Sequence, residues 1–444
     1  MQRLLVCVFA FSMLFAATPD FAADMIKPAA TNTPATAAAA KQQKSVSHGS
    51  VTVNGTRIDY TATAGTIMLR NDKGDPTASM FYIAYTQDGA KPGQRPLTFA
   101  YNGGPGGSSV LVNLGGFGPM RVQTTDAAPT PPPPYSLQSN PYSLLDKTDL
   151  VFIDAVGTGF SKTLGKASGK DFWGTDPDVK SFGEFIENYL TENNRWNSPK
   201  FVLGESYGTP RSAMLADWLQ NKGVALNGVI LLSSILNFND EFWFQPPGSN
   251  DLSYELYLPS YAAVAWYHDK LPNKPADLPA FLSQVRQFAL GDYAHALEAG
   301  DRITPAQEAA VLDKLHAYTG LSETYLKETK LRIEPARFMK QLLRSEGRTV
   351  GRFDARFEGI DLDSAGEFPG YDPSSTALFP AFVAPFHWYL NNDLKYHSDA
   401  DYEFLNDKVG NAWDWHHVVD GQKYPVPDTL PDLREAMTQN PHLQ

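Results

Sequence analysis

Cysteine is almost absent from this sequence. The 444 residues contain one cysteine, Cys7, close to the N-terminus. A single cysteine cannot form an internal disulfide, so the folded chain must be stabilised by its hydrophobic core. That core can be large, because 42% of the residues are hydrophobic and 12% are aromatic. Length and composition therefore predict a globular protein with one large domain carrying an insertion, or with two domains.

The sequence also has no excess of basic residues. Lysine and arginine number 37 against 49 aspartates and glutamates, for a net charge of -12. Nucleic-acid-binding domains present a basic face, so this charge argues against a nucleic-acid partner. No phosphate-loop or dinucleotide fingerprint occurs, and Asp361-Leu362-Asp363 lacks the full calcium-loop pattern. We therefore expect neither a cofactor nor a metal.

The longest apolar run near the N-terminus, residues 4–17, is short for a membrane-spanning helix, which needs about 20 apolar residues. With Arg3 before it and small residues after it, residues 1–23 resemble a secretory signal peptide. An uncleaved anchor is the alternative. We expect a periplasmic or secreted bacterial protein that leaves the membrane after signal cleavage.

Residues 24–47 are rich in alanine, threonine and proline and lack hydrophobic periodicity, which predicts a disordered linker. An α/β core is predicted from residue 48 to residue 236. It begins with a hairpin around Asn54-Gly55, a strong type I′ turn signal. Strands and helices then alternate, and residues 149–154 form an apolar run typical of a strand buried on both faces. This order predicts a parallel α/β sheet.

The first chemical motif is Gly204-Glu205-Ser206-Tyr207-Gly208. It follows a predicted buried strand at residues 201–203 and precedes a predicted helix. A G-x-S-x-G pattern between a strand and a helix is typical of a nucleophile elbow, in which a strained turn exposes the serine hydroxyl. Such a short pattern also arises by chance. The alternative is a serine that only caps the helix.

The second chemical motif is the sequence NGGPGGSS at residues 102–109, directly after a predicted strand. Its glycines let the backbone approach a ligand and expose N–H groups, as an oxyanion hole requires. A flexible surface turn is the alternative. Its position before the elbow favours an oxyanion loop, because α/β-hydrolases place that loop upstream of the nucleophile.

Three motifs taken together, NGGPGGSS (102–109), VGTGFS (156–161) and GESYG (204–208), resemble the serine carboxypeptidases of the S10 peptidase family in order and spacing. The sequence LPSYAAVAWYH at residues 258–268 is similar to the bacterial branch. The resemblance covers residues 50–444. It implies an α/β-hydrolase fold with a mostly parallel sheet and a helical cap insertion. It also implies an acid-tolerant exopeptidase that removes single residues from the C-terminus of peptides.

The resemblance assigns roles to five residues. Ser206 would be the catalytic nucleophile that forms the acyl-enzyme, and the backbone N–H groups of Gly104 and Tyr207 would hold the oxyanion. The side chains of Asn102 and Glu205 would bind the terminal carboxylate of the substrate. A glutamate faces a carboxylate favourably only when one of the two is protonated, so acid pH is expected to favour peptide binding.

Two positions depart from the family. Gly107 stands where the family often has a cysteine, and Ala100 stands where it often has a tryptophan two residues before the loop asparagine. The glycine is consistent with a fold without disulfides. The alanine removes part of the family's carboxylate recognition.

In residues 237–385 the pattern changes to helical segments separated by proline and glycine, which predicts the cap insertion. Residues 386–444 are expected to return to the core. The helices are expected at residues 277–290, 305–318 and 335–345. The aromatic residues of the cap either line a pocket for apolar side chains or pack in its core. They are Phe242, Trp243, Phe244, Tyr254, Tyr257, Tyr261, Trp266 and Tyr267.

The acid and base of a catalytic triad have no clear candidates. An α/β-hydrolase places them after the nucleophile, in the order Ser, Asp or Glu, His. The G-Y-x-D and G-H-M-type motifs of the family are both missing, and we interpret each later histidine as a surface or core residue. These histidines are His268, His295, His316, His387, His397, His416, His417 and His442. The expectation is a C-terminally truncated, inactive member without the triad aspartate, the triad histidine and the last strands.

Two other functions stay open from the sequence. One is a different serine hydrolase or acyltransferase on the same scaffold, which would also use Ser206. The other is a non-catalytic homologue that binds peptides. In the carboxypeptidase interpretation the partners are peptides with a free C-terminus, while the side-chain preference and the oligomeric state are not defined by the sequence.

Overall fold

The computed structural model describes residues 42–242, 244 and 250–444; the predicted signal peptide and most of the predicted linker lie outside them. The strands of this part are β1 (Lys44–Val53), β2 (Thr56–Arg70), β3 (Pro76–Gln87), β4 (Leu97–Tyr101), β5 (Met120–Val122), β6 (Leu137–Ser139), β7 (Asp149–Ile153), β8 (Lys162–Thr163), β9 (Lys200–Glu205), β10 (Gly228–Leu232), β11 (Arg348–Val350), β12 (Glu358–Ile360), β13 (His417–Val419) and β14 (Gln422–Tyr424). The helices are α1 (Val110–Val112), α2 (Thr175–Glu192), α3 (Gly208–Asn221), α4 (Leu252–Tyr267), α5 (Leu278–Phe288), α6 (Ala294–Ala299), α7 (Pro305–Thr319), α8 (Glu323–Glu328), α9 (Pro335–Gln341), α10 (Pro373–Asn392), α11 (Asp407–Asn411) and α12 (Leu430–Gln439). Among the described residues, no helix is both long and apolar enough to span a membrane.

The main sheet has the strand order β1-β2-β3-β7-β4-β9-β10, with β8 paired to β3. Strands β7, β4, β9 and β10 are parallel, while β1, β2 and β3 form an antiparallel half joined to β7. Helices α2, α3 and α12 contribute to the core on one face, and α1 and α10 to the core on the other. This mixed sheet between two helical layers confirms the predicted α/β-hydrolase fold class.

The central strands β4 and β7 are buried on both faces because most of their consecutive side chains are apolar. All five residues of β4 and all five of β7 are buried. Phe99 and Val151 point into one core, whereas Ala100 and Phe152 point into the other, as the two-residue period of a strand requires. The strand predicted at residues 149–154 is therefore confirmed as β7.

The predicted hairpin at the start of the core is also confirmed. Val53 pairs with Thr56, and Asn54 and Gly55 have φ of 50° and 78°, as a type I′ turn requires. The pairing continues back to Lys44, which lies opposite Gly65. The strand therefore begins inside the predicted linker 24–47, because backbone pairing with β2 orders residues that carry no apolar pattern of their own.

Helices α4 to α9 surround a third hydrophobic core. The predicted helices at 277–290, 305–318 and 335–345 correspond to α5, α7 and α9. Side chains of Asp277 and Thr304 cap α5 and α7, and a proline stands near the start of each of the three helices. These local signals explain why the helix positions could be read from the sequence. The domain boundaries at 236 and 385 remain predictions.

Most of the aromatic residues of the predicted cap pack in its interior rather than lining a pocket. Tyr254 and Tyr261 are part of the third core, and Phe242, Tyr257 and Trp266 pack against it. Phe244 instead contacts the ring of Trp415, with 4.5 Å between centroids. Tyr267 is 45% exposed, and Trp243 lies outside the described residues.

Strand β10 lies at the end of the sheet order. Gln444 is bonded alongside it: Val229 N donates to the Gln444 carbonyl at 2.7 Å, and Gln444 N donates to the Asn227 carbonyl at 3.2 Å. Ile230 and Leu232, further along β10, are each 42% exposed. Exposed apolar side chains on an edge strand favour association with another strand.

Candidate active site

The predicted elbow has the expected strand–turn–helix structure, between β9 and α3. Ser206 has φ of 55°, a left-handed conformation that is uncommon outside glycine and is found at functional sites. Its N–H donates to the Leu232 carbonyl at 3.0 Å, and its carbonyl accepts from Thr209 N at 2.8 Å. The N-cap of α3 is Tyr207, so Ser206 does not cap the helix.

Two glycines allow close backbone contacts, one within the elbow and one between the elbow and the glycine loop (residues 103–107). A Cβ on Gly204 would lie 1.9 Å from the Gly208 carbonyl oxygen, which only glycine tolerates. A Cβ on Gly103 would lie 2.3 Å from Tyr207 N. Because β4 and β9 are neighbours, both segments leave the same edge of the sheet and meet directly.

The two N–H groups expected to hold an oxyanion lie in these two segments. Gly104 has φ of 117°, which turns the loop sharply over the elbow. Within the described part of the chain, neither Gly104 N nor Tyr207 N donates a hydrogen bond to another residue. Unused backbone donors at the nucleophile turn are the groups that can stabilise a developing negative charge.

The side chains predicted to bind a substrate carboxylate are in contact. Asn102 Nδ2 donates to Glu205 Oε2 at 2.8 Å, and Asn102 Oδ1 accepts from Val112 N at 2.9 Å. Asn102 is only 6% exposed, so these two bonds fix its orientation. The structure thus brings together Asn102, Glu205, Ser206 and the glycine loop, which the sequence had assigned to one site.

A segment that the sequence did not single out holds the glycine loop from the other side. Asn406 N donates to the Gly106 carbonyl at 2.9 Å, and Asn406 Nδ2 donates to the Gly157 carbonyl at 2.8 Å. Ser108 N donates to the Phe404 carbonyl at 3.0 Å. These contacts are made mainly by backbone atoms of residues 402–410, so no side-chain motif in the sequence predicts them.

Asp154, directly after β7, also supports the glycine loop. It is buried, and its Oδ1 accepts from Ser109 N at 2.8 Å while its Oδ2 accepts from the Tyr402 hydroxyl at 2.7 Å. Burial raises the pKa of this carboxyl to about 6, although the two hydrogen bonds oppose the shift. The signal for Asp154 in the sequence is an aspartate at the end of an apolar strand.

Among the described residues, no hydrogen bond joins a histidine to the hydroxyl of Ser206. Several have other partners instead. His268 contacts Glu358 and the Ala355 carbonyl, His316 contacts the Leu321 carbonyl, His397 contacts Asn391, His416 contacts Asp414, and His417 contacts Asp176 and Asp432. The interpretation of these histidines as surface or core residues remains a prediction.

His417 ties three elements together. Its Nδ1 lies 2.6 Å from Asp176 Oδ1 at the start of α2, and its Nε2 lies 3.1 Å from Asp432 Oδ2 on α12. Both ring nitrogens face carboxylate oxygens, so the ring needs both protons. Burial alone would lower the pKa of His417, but the hydrogen bonds to Asp176 and Asp432 outweigh it and raise the pKa from 6.5 to about 9.

Stability is therefore expected to depend on the protonation of His417. The folded pKa exceeds the unfolded one, so this contribution is complete below pH 6.5 and is lost as the pH rises through about 9. Such a shift corresponds to roughly 3 kcal/mol of folding free energy. Thermal unfolding midpoints measured across this interval should fall more steeply for the wild type than for His417→Asn.

A matched control is the adjacent histidine, whose side chain is 47% exposed. His416→Asn should keep the wild-type slope of midpoint against pH. Equal slopes for wild type and His417→Asn would contradict the assignment of this contribution to His417.

Known proteins resemble this chain in the region that contains the candidate site. Residues 58–242 match the serine carboxypeptidase family. The pheromone-processing carboxypeptidase KEX1 of Saccharomyces cerevisiae is 36% identical over 156 residues, which are 32% of this chain and 20% of the yeast protein. Serine carboxypeptidase-like 36 of Arabidopsis thaliana is 26% identical over 193 residues, which are 41% of this chain and 38% of the plant protein.

A solved structure of the yeast prohormone-processing carboxypeptidase covers 80% of this chain and 68% of its own, with a TM-score of 0.46 and 20% identity. The matches to the two curated relatives thus span well under half the length of each relative. The matched region nevertheless contains the glycine loop, Asn102 and the complete elbow. Residues 58–242 of this chain, which contain all of these groups, are similar to the serine carboxypeptidase family, peptidase S10.

Proposed function

We propose that this chain binds the free C-terminus of peptides at a serine carboxypeptidase site, with Ser206 as the nucleophile that would form the acyl-enzyme. The observation that carries the proposal is the 2.8 Å bond between Asn102 Nδ2 and Glu205 Oε2, beside the left-handed turn at Ser206. An amide and a carboxyl group held together offer two donors to a carboxylate, the amide N–H and, when a proton is shared, the carboxyl O–H. Gly104 and Tyr207 would supply the oxyanion donors.

Peptide binding tests the carboxylate site directly. A peptide with a free C-terminal carboxylate is expected to bind more tightly than the same peptide with a C-terminal amide. The difference should grow as the pH falls from about 7 to about 5, because Glu205 and the substrate carboxylate must share a proton. Isothermal titration with both peptides at several pH values measures it.

The matched variant is Glu205→Gln, which keeps the shape of the side chain and removes the charge. It should bind the carboxylate peptide with little dependence on pH. An acid preference that is unchanged in this variant would contradict the role of Glu205.

Turnover is expected to be absent or very slow in this chain. Among the described residues no histidine forms a hydrogen bond to the Ser206 hydroxyl, and a serine without a base is a poor nucleophile; an oxyanion hole with substrate binding supplies only a residual part of triad catalysis. The chain and its Ser206→Ala variant should release C-terminal residues at the same low rate, followed by mass spectrometry of a defined peptide. Robust release that requires Ser206 would show that a base reaches it and would overturn this part of the proposal.

The two alternatives are tested with simple esters and with a fluorophosphonate, beside the peptide titrations. A different serine hydrolase would cleave simple esters and would bind amidated and free peptides equally. A non-catalytic homologue would keep the preference for the free carboxylate while Ser206 resists a fluorophosphonate. For the location we propose secretion or the periplasm, supported by the apolar run at residues 4–17.

A further inference from the structure

Arg211 is a buried cation directly behind the candidate site. It lies in the first turns of α3 and is among the largest fully buried side chains of the described residues, at 1% exposure. Its Nε donates to Asp178 Oδ2 at 2.6 Å, and Asp178 is itself only 2% exposed. The charge is therefore paired, as a buried arginine requires.

A second donor of the same guanidinium reaches the residue directly before the glycine loop. Arg211 Nη1 donates to the backbone carbonyl of Asn102 at 3.0 Å. Asn102 is the residue whose side chain contacts Glu205, and its carbonyl belongs to the peptide unit that leads into Gly103. The hydrogen bond from Arg211 thus acts on the backbone just before the expected oxyanion donor at Gly104.

Aromatic rings hold the guanidinium in this position. Its Cζ lies 4.3 Å from the ring centroid of Phe182, 5.2 Å from that of Tyr101 and 5.4 Å from that of Tyr207. Tyr101 precedes the glycine loop, Tyr207 follows Ser206, and Phe182 belongs to α2. One planar cation therefore contacts the loop, the elbow and a supporting helix at once.

Stability alone gives a weak reason for such an arrangement. A buried ion pair can usually be replaced by apolar residues of similar volume without loss of stability, because desolvation offsets the attraction. What an apolar replacement cannot supply is a directed donor to the Asn102 carbonyl. The guanidinium, with its donors in a fixed plane, can hold that carbonyl and Asp178 in one geometry.

We propose that Arg211 is a positioning residue for the carboxylate and oxyanion sites. By fixing the Asn102 carbonyl relative to α2 and the elbow, it sets the orientation of the Asn102 side chain toward Glu205 and the approach of Gly104 to Tyr207. The part of this inference that concerns ligand binding rests on the proposed function; the part that concerns the glycine loop does not.

The test uses a double variant that removes the pair without leaving a buried charge, Arg211→Met with Asp178→Leu. Its thermal unfolding midpoint is expected to stay near the wild-type value. Amide hydrogen exchange in a peptide covering residues 102–112 should become about tenfold faster. The segment loses one hydrogen bond, and the free energy of one such bond corresponds to roughly a factor of ten in the opening equilibrium. Affinity for a peptide with a free carboxylate should fall by a similar factor, and affinity for its amide should change little.

A control pair of the same chemistry lies in the cap, where Arg332 donates to both oxygens of Asp251 at 2.8 and 2.7 Å. Arg332→Met with Asp251→Leu should leave exchange at residues 102–112 unchanged. If the first double variant fails to fold, Arg211→Lys replaces it, because one ammonium cannot span both acceptors as the guanidinium does.

The outcomes separate the two proposals. Unchanged exchange at residues 102–112 in the Arg211 variant overturns the positioning role, whatever the peptides do. Faster exchange in a chain whose wild type makes no distinction between free and amidated peptides supports positioning by Arg211 and counts against the proposed function. Faster exchange together with a selective loss of carboxylate affinity supports both.

Discussion

Gly103→Ala is expected to abolish the preference for peptides with a free carboxylate and to destabilise the fold. The added Cβ would lie 2.3 Å from Tyr207 N, 2.8 Å from the Glu205 carbonyl oxygen and 2.8 Å from Gly208 N. All three are backbone atoms, so no flexible side chain can move aside. Either the glycine loop or the elbow must shift, and a displacement of about 1 Å can cost roughly 100-fold in a precisely built site.

The two effects are measured separately. Overpacking of this kind costs about 1–3 kcal/mol, which thermal unfolding detects as a lower midpoint. Titration with the free and the amidated peptide then reports on the site in the folded variant. A Gly103→Ala chain with wild-type carboxylate preference would contradict the close contact between loop and elbow.

A matched control exists a few residues further along. A Cβ on Gly116 would meet no atom within 4 Å. Gly116→Ala should therefore preserve both the unfolding midpoint and the peptide preference. Because the two variants make the same chemical change in neighbouring segments, the difference between them measures the effect of the contact with Tyr207.

Asp149→Asn is expected to give the largest loss of stability. Asp149 is 3% exposed, and its carboxylate accepts from Arg95 Nε at 2.7 Å and from Arg195 Nη1 at 2.7 Å. One carboxylate thus compensates two largely buried guanidinium groups. Asparagine keeps the shape but leaves both cations without an opposite charge, and breaking a buried pair in this way costs about 3–5 kcal/mol.

For a chain of this size such a loss lowers the midpoint of thermal unfolding by about 5 °C. Asp59→Asn is the control, because Asp59 pairs with Arg57 at the surface, with side chains 59% and 69% exposed. An exposed pair contributes at most about 1 kcal/mol, so that variant should melt close to the wild type. Equal midpoints for the two variants would show that Asp149 is not needed to compensate the buried arginines.

Much of the fold could be predicted from the sequence, because its signals are local. The Asn54-Gly55 turn needs two residues with positive φ, β7 is a continuous apolar run, and α7 begins with a threonine cap followed by proline. The elbow is local in the same sense, since glycines at 204 and 208 stand where a strand turns into a helix. Each of these features depends on neighbours within a few positions.

Other features exist only in the tertiary structure. Asn102 and Glu205 meet because β4 pairs with β9, and Asn406 holds the glycine loop through backbone atoms some 300 positions away in sequence. In the sequence, Arg211 is an ordinary basic residue of a helix. Only the structure shows that it donates to Asp178 and to the Asn102 carbonyl. The sequence by itself determined the strands, the turns and the strand–turn–helix geometry around Ser206. The folded chain decided which of these distant groups share one site, because pairing of strands and backbone hydrogen bonds between remote segments leave no periodic pattern to read.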